Sequence, residues 1–512
     1  VATILITPDL LVSDVDRNEL IPASQHFSSY LKGALIMFIR IIATSIALYS
    51  ISFIPFAAGE NENTRQAENT QEHISDERLN RQDYHDLLIS RTSRLAEHPA
   101  NNALRWDIAQ DELLTGNLAQ AEEYLKPLLD EPLYADEATY TQGLIRYLQG
   151  NYAQAETLFR KIPRDLRSRV RLLYVYYQTG QYSKAKTLFD DTQLKSLSQH
   201  ESALLSLMNA FGNDQPYKSD WKGDRAVLPF ISMNHLPVVS VRVNGQPVNV
   251  FIDTGADLFV LNTTMAKKLD LKPQASFTGT YAGGKTAETH YSRLQTLGLG
   301  EVTLHNVPID IAEFPDSWVF TDETTGEKIN VDGILSTGVF HQFLTTLDYP
   351  ERQLVLMPRN KKSQNNVAKG GGVNVPFILE GTHFMIVKGA VNGKKDMTFF
   401  LDSGLDDPDA AILLQKEALN YVGVKLQDAE LMIPDDNKGG LGGGGFAITR
   451  LPIDSISVGT LIQKDSTGLY GVLPEELYFT ESGMILDGFI SHQFLKHYKW
   501  TIDFDSMMMT FQ

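Results

Sequence analysis

The sequence contains no cysteine. Disulfides, thiolate nucleophiles and cysteine-ligated zinc are therefore excluded, and cysteine usage says nothing about the redox compartment. Basic residues are in the minority, with 45 Lys and Arg against 63 Asp and Glu and a formal net charge of −18. That balance argues against nucleic acid as a partner, because its phosphates need a basic footprint. His-Glu-x-x-His, the metal-binding helix of zinc hydrolases, is absent, and so is Gly-x-Ser-x-Gly, the turn that presents a nucleophilic serine. What remains is a 512-residue chain with 43% apolar and 21% charged residues, a globular composition long enough for about three structural units.

One stretch organises the rest. Phe251-Ile252-Asp253-Thr254-Gly255-Ala256-Asp257 reads as a buried strand running into a tight loop that presents a carboxylate. Alone it is weak evidence, since Asp and Gly are ordinary turn residues. The phrase returns at Phe399-Phe400-Leu401-Asp402-Ser403-Gly404. Two such loops on duplicated segments point to an acid/base pair.

The duplication extends well beyond the loops. Val238–Val243, Asn244-Gly245 and Val248–Ile252 form a strand, a hairpin turn and a strand. Phe384–Val387, Asn392-Gly393 and Met397–Leu401 repeat that plan. After Asp253, a further strand is expected over Leu258–Leu261 and a short helix over Thr263–Leu269. Each segment also closes alike, with Asp332-Gly333-Ile334-Leu335-Ser336 before His341-Gln342-Phe343-Leu344, and Asp487-Gly488-Phe489-Ile490-Ser491 before His492-Gln493-Phe494-Leu495. Residues 227–358 and 373–512 are thus expected to be two copies of one β-rich lobe, joined by a linker at 359–372.

These motifs resemble those of retropepsin-like aspartic proteases, here with two lobes fused in one chain as in pepsin-like enzymes. The resemblance implies a mostly β bilobal fold and a polypeptide substrate, with Asp253 and Asp402 as the catalytic pair. Thr254, Gly255, Ser403 and Gly404 would support the pair, and neither cofactor nor metal is implied. Two close carboxyls share one proton because both cannot ionise cheaply, so one can activate water while the other protonates the substrate. Phe277–Lys285 has a glycine tip between strand-like runs and is the candidate flap, with Tyr281, Ala282, Gly283 and Gly284 over the substrate; Tyr281 could equally pack on its own lobe. Leu441–Phe446 occupies the matching place in the second segment, as a second flap or a flexible connector. The chain departs from the family pattern at Ser336 and Ser491, where glycine is usual, and in the acidic Leu405–Asp409 stretch. Those departures motivate an alternative, a protease-fold peptide-binding or scaffolding protein with little or no activity.

Rival motifs fare worse. Gly279–Thr286 matches the phosphate-loop pattern Gly-x4-Gly-Lys-Thr, but that mechanism requires a helix opening at the lysine, and Ala287–Ser292 favours a strand. His341 and His492 are expected to serve structural turns rather than bind metal.

The amino-terminal half has another character. Leu35–Ala58 is apolar over a length close to that of a membrane span. Read from Met37, it has a cationic start, an apolar stretch and a small-residue exit. Residues 1–36 are then expected to be an over-extended start, and 37–58 a signal peptide or uncleaved anchor. Either way the protein is exported, to a bacterial periplasm or beyond, and it meets a membrane only if the segment stays attached. Residues 59–82 are polar and read as a flexible linker.

From 83 to 212 the apolar spacing is helical. Gly116-Asn117-Leu118-Ala119-Gln120-Ala121, Gly150-Asn151-Tyr152-Ala153-Gln154-Ala155 and Gly180-Gln181-Tyr182-Ser183-Lys184-Ala185 repeat one pattern. This resembles tetratricopeptide repeats, whose period is about 34 residues, although the step to the third glycine is shorter. The resemblance implies a protein or peptide partner on an all-α domain; a brace for the neighbouring lobes explains the same helices. Residues 213–226 read as a linker.

Overall fold

The computed structural model describes residues 79–281, 286–316, 318–426, 440–441, 448–471 and 480–512. The apolar segment at 37–58 and most of the linker at 59–82 lie outside the described residues, as do Ala282, Gly283, Gly284 and residues 442–446. A helical region is followed by a strand-rich one.

Helix α1 (Arg81–Glu97) opens on Asn80, whose side chain accepts from the first-turn amides while Asp83 reaches back to the Asn80 amide. It is followed by α2 (Asn102–Leu114), α3 (Leu118–Leu125), α4 (Ala135–Leu148), α5 (Tyr152–Phe159), α6 (Leu166–Gln178) and α7 (Gln199–Phe211). The recurring glycines explain the sequence repeat. Gly116, Gly150 and Gly180 have φ of 77°, 71° and 65°. Each ends a helix in a turn whose next amide reaches back five residues: Asn117 to Glu112, Asn151 to Arg146 and Gln181 to Tyr176, at 2.7, 2.8 and 2.8 Å. Ala121, Ala155 and Ala185 are buried where the paired helices approach. The third unit departs where the sequence does, since Gly180 leads into a 3₁₀ turn, Tyr182–Thr187, instead of an α-helix.

The strand-rich region begins inside the stretch expected to be linker. Its first part contains β1 (Lys218–Trp221), β2 (Ala226–Pro229), β3 (Val238–Val243), β4 (Gln246–Asp253), β5 (Phe259–Asn262), β6 (Ala275–Thr280), β7 (Thr286–Leu299), β8 (Val302–Ala312), β9 (Gly333–Ser336), β10 (Leu344–Asp348) and β11 (Gln353–Met357). Its second part contains β12 (Val373–Glu380), β13 (Phe384–Val391), β14 (Lys394–Leu401), β15 (Ala410–Leu414), β16 (Ile448–Val458), β17 (Leu461–Gly471), β18 (Gly488–Ile490), β19 (Lys499–Asp503) and β20 (Met508–Phe511). Eight strands form one sheet in the order β1-β8-β5-β9-β4-β3-β7-β6, and twelve form another, β14-β18-β15-β17-β16-β13-β12-β20-β19-β10-β11-β2.

The same local plan occurs in both parts. Asn244 and Gly245 both have positive φ, 48° and 83°, as do Asn392 and Gly393, at 49° and 77°. Left-handed backbone at both central positions is the turn that matches strand twist in a two-residue hairpin, and Asn-Gly supplies it with little strain. Strand β4 then runs parallel to β9, with Asp253 opposite Ser336, and β14 runs parallel to β18. The closing strands are squeezed between neighbours. A Cβ on Gly333 would fall 2.7 Å from the Val260 carbonyl, and one on Gly488 would fall 2.2 Å from that of Leu413. Strands β10 and β19 join the two parts side by side, with Thr346 and Thr501 sharing a hydroxyl–hydroxyl bond of 2.8 Å. A continuous apolar core runs through this junction from Ala226 to Phe511.

The helices are built onto this module. Arg81, 1% exposed, sends Nε to Asp487 at 2.6 Å and Nη2 to Thr398 Oγ1 at 2.6 Å, while Asp487 also accepts from the Thr398 amide. The repeat turns face inward too. A Cβ on Gly116 would lie 3.2 Å from Lys388 and Thr398 atoms, and one on Gly150 would lie 2.7 Å from Met507 Sδ. Breaking a buried ion pair on one side strands the other charge. Arg81→Met is therefore expected to destabilise the protein by about 3–5 kcal/mol in urea unfolding, whereas Arg81→Met with Asp487→Leu should recover most of that loss.

Candidate active site

The two loops repeated in the sequence meet. Asp253 ends β4 and Asp402 follows β14, so each carboxylate is delivered by the second strand of an Asn-Gly hairpin. Asp253 Oδ1 accepts the Gly255 amide at 2.6 Å, and Asp402 Oδ1 accepts the Gly404 amide at 2.9 Å. The threonine and serine between them cross over. The Thr254 amide donates to Ser403 Oγ at 3.0 Å, and the Ser403 amide donates to Thr254 Oγ1 at 2.9 Å. Thr254 Oγ1 in turn donates to the Leu401 carbonyl at 2.9 Å. Both hydroxyl residues are wholly buried, so each loop satisfies the other's backbone where water cannot.

Glycine is required at both following positions by close approach. A Cβ on Gly255 would fall 2.8 Å from Asp402 Oδ1 and 3.0 Å from Asp253 Oδ1. On Gly404 it would fall 2.2 Å from Asp253 Cγ. Both carboxylates are thus packed against the opposite loop's glycine and hydrogen-bonded to each other. Burial raises both above the ordinary carboxylate range, and the charge of Asp253 raises Asp402 further. The pair holds a proton where an isolated carboxyl would have lost it.

The supporting elements follow the two closing segments. Thr337 Oγ1 donates to the Thr254 carbonyl at 2.9 Å, and Ser491 Oγ donates to the Ala410 carbonyl at 2.6 Å. His341 packs on Phe504 at 4.7 Å and His492 on Tyr349 at 5.4 Å, each ring crossing to the other part of the module. Burial pushes both imidazoles down to about 3, which keeps them neutral. Among the described residues no group of His, Cys, Asp or Glu could hold a metal ion.

The expected flap is partly visible. Strands β6 and β7 pair antiparallel from Ala275 with Tyr291 to Thr280 with Thr286. A strand therefore stands where a phosphate loop needs a helix. Tyr281 turns back onto its own hairpin and bonds Thr289 through its hydroxyl, while Leu441 packs against the apolar cluster that contains Phe251 and Val260.

Several neighbours of the pair went unread in the sequence. Asp257 Oδ1 accepts from Tyr177 Oη of α6 at 3.1 Å, and Thr382 donates to the same carboxyl. Burial lifts Asp257 to about 6. Asp406, at the matching place after Asp402, pairs with His235 Nδ1 at 3.0 Å. Asp407 accepts the Asp409 and Ala410 amides and binds Arg450 Nη2 at 2.6 Å, which accounts for the acidity of that loop. The repeated position four residues beyond each aspartate was the signal for Asp257 and Asp406; nothing local marked Tyr177. Asp310 also lies in this wall with Oδ1 unpartnered among the described residues, held well above the carboxylate range by burial and then by Asp257.

With this geometry in place, a family model described as an aspartyl protease matches residues 239–339. That match covers the segment that contains Asp253, and Asp402 lies beyond it. No curated protein matches the chain. Among solved structures, the chain is similar to a retropepsin-like aspartic protease from Rickettsia conorii, at 16% identity over 27% of this chain and 93% of that one, with a TM-score of 0.20.

Two outcomes test the site's construction. Thr254→Ala removes one donor and one acceptor and leaves the Ser403 amide and Leu401 carbonyl unsatisfied, so urea unfolding should show a loss of roughly 3 kcal/mol, against about 1 for Thr254→Ser. The folded Asp257 keeps its proton up to about pH 6, while the unfolded carboxyl loses it near 3.8. Its contribution is full below 3.8 and is lost as pH rises towards 6. Asp257→Asn should accordingly reduce the fall in stability between pH 4 and 7 by on the order of 2 kcal/mol.

Proposed function

We propose that the protein is an exported aspartic endopeptidase in which two fused β lobes, 227–358 and 373–512, each supply one carboxylate of a catalytic pair, Asp253 and Asp402. The observation that carries this reading is the crossed bonding of the Thr254 and Ser403 loops, which holds two aspartates against each other in a half-buried setting. A water held between the carboxyls would lose a proton to the ionised one as its oxygen attacks the scissile carbonyl. The protonated carboxyl gives its proton to the carbonyl oxygen. Collapse of the tetrahedral adduct breaks the C–N bond, with a proton passed to the leaving nitrogen, and the pair returns to its singly protonated state.

In this reading the β6–β7 hairpin is the cover of the site. The tetratricopeptide-like helices act as a brace for the protease module, a role supported by the buried Arg81–Asp487 pair and the inward-facing repeat glycines. A signal segment at 37–58 would place the enzyme beyond the cytoplasm.

A peptide-library digest with a pepstatin-type inhibitor control tests the reading. Asp253→Asn and Asp402→Asn should each abolish cleavage while leaving circular dichroism and urea unfolding close to those of the parent; undiminished turnover in either variant refutes the pair. The pH profile of kcat/KM should be bell-shaped, because one carboxyl must be charged and the other protonated. Its alkaline limb should lie above the ordinary carboxylate range, since burial raises both groups. Peptides bound without products at any pH would leave a peptide-binding protein instead.

A further inference from the structure

Resting on that reading, the two ends of the substrate groove can be compared. In two fused copies related by an approximate twofold axis between Asp253 and Asp402, equivalent residues lie on opposite sides of the carboxylates. Asp257 and Asp406, each four residues beyond its aspartate, are such a pair. At each, an element of the other lobe crosses over: the Gly381–His383 hairpin reaches Asp257, and His235 reaches Asp406. In that reading these crossings lie at the two ends of the groove.

The ends are not alike. At Asp406 the crossing is open to solvent, with the His235 side chain 58% exposed and that of Asp406 27% exposed. At Asp257 the helical region covers it. Tyr177 and Gln178, the last residues of α6, hold the two lobes at once: Tyr177 Oη donates to Asp257, and Gln178 Nε2 donates to the Thr382 carbonyl at 2.7 Å. Tyr147 of α4 donates to the Gly381 carbonyl, and Arg171 of α6 donates to the Glu481 carbonyl at 3.1 Å. Tyr177 and Thr382 are 7% and 8% exposed. Helix α7 extends the wall under the flap, with His200 against the Phe277 ring at 5.2 Å and bonded to Tyr291 Oη at 3.0 Å.

An extended chain advances about 3.3 Å per residue and must leave a groove at both ends if it is cut in its interior. At the Asp257 end, its path meets packed helix, and the Asp257 carboxyl and the Thr382 carbonyl are already bonded to α6. We infer that the helical region stops the groove at the Asp257 end, with Tyr177 and Gln178 as the stop, so that the endopeptidase reading narrows to an enzyme that takes the ends of polypeptide chains and cuts close to one terminus.

The test uses a random-sequence peptide library in four forms: free at both ends, or carrying a small folded domain such as ubiquitin at the amino end, the carboxyl end, or both. Retention on immobilised full-length Asp402→Asn protein is read by mass spectrometry. The free library and one of the single fusions should be retained alike, while the other single fusion and the double fusion should fall by about tenfold or more. Equal retention of both single fusions, loss of both, or no retention of the free library would overturn the inference. Digestion of the free library by the unaltered enzyme separates the two readings. Cuts clustered near one terminus support both, and cuts spread along the interior sink the one-ended groove while leaving the protease. No cuts at all, with one-sided retention intact, sink the protease and leave the stop.

Discussion

Everything at the site depends on two hydroxyl groups satisfying two amides across a dry boundary. Thr254 Oγ1 and Ser403 Oγ each accept the other loop's backbone N–H, at 2.9 and 3.0 Å, where no solvent is available to replace them. An unmade bond here would cost the full desolvation of the group left behind, so neither loop is stable in this form without its counterpart. The carboxylates inherit their proximity from that constraint. They are held together by groups that do not titrate, which allows the pair to be raised by burial and mutual repulsion without being pushed apart.

The constraint also explains why repeated motifs and glycine occur together in this sequence. Two loops that must interlock need the same backbone path, and the same path needs the same small residues. Gly255 and Gly404 sit where a side chain would strike a carboxylate, while Gly333 and Gly488 sit where it would strike a neighbouring strand. Outside these points the two segments differ. Asp332 is bonded by Asn262 of its own part of the chain, at 2.8 Å, whereas the corresponding Asp487 is bonded by Arg81 from the helical region.

How much was legible follows from the range of each interaction. The Asn-Gly hairpins, the strand over 259–262, the helix over 263–268 and the repeat glycines are set by neighbours in sequence and could be read there. The meeting of Asp253 and Asp402 was legible because duplication writes a distant contact twice. Contacts made once were not. Arg81 and Asp487 are 406 residues apart, and Tyr177 and Asp257 are 80 apart, with no second copy to reveal them. The acidic 405–409 stretch looked irregular because the charges were visible and their partners, His235 and Arg450, were not. Strand β1 was missed for a related reason. Lys218–Trp221 has no apolar alternation, and pairs at the sheet edge with β8.

Two of those unread contacts, Arg81 to Asp487 and Tyr177 to Asp257, run between the helices and the strand-rich module. An ordinary appended domain meets its neighbour through a modest and largely polar surface. Here the contact includes a buried guanidinium–carboxylate pair, a backbone bond from the Ile485 amide to the Leu114 carbonyl, and tyrosines bonded to both sides of the carboxylate cleft. Burying Asp487 without Arg81 would leave a charge in a nearly dry site, and withdrawing α6 would expose Asp257 and free the Gly381–His383 hairpin. The helices therefore belong to the folding unit of the carboxylate site. Any motion of α6 must also be felt at Asp257, four residues from one member of the pair.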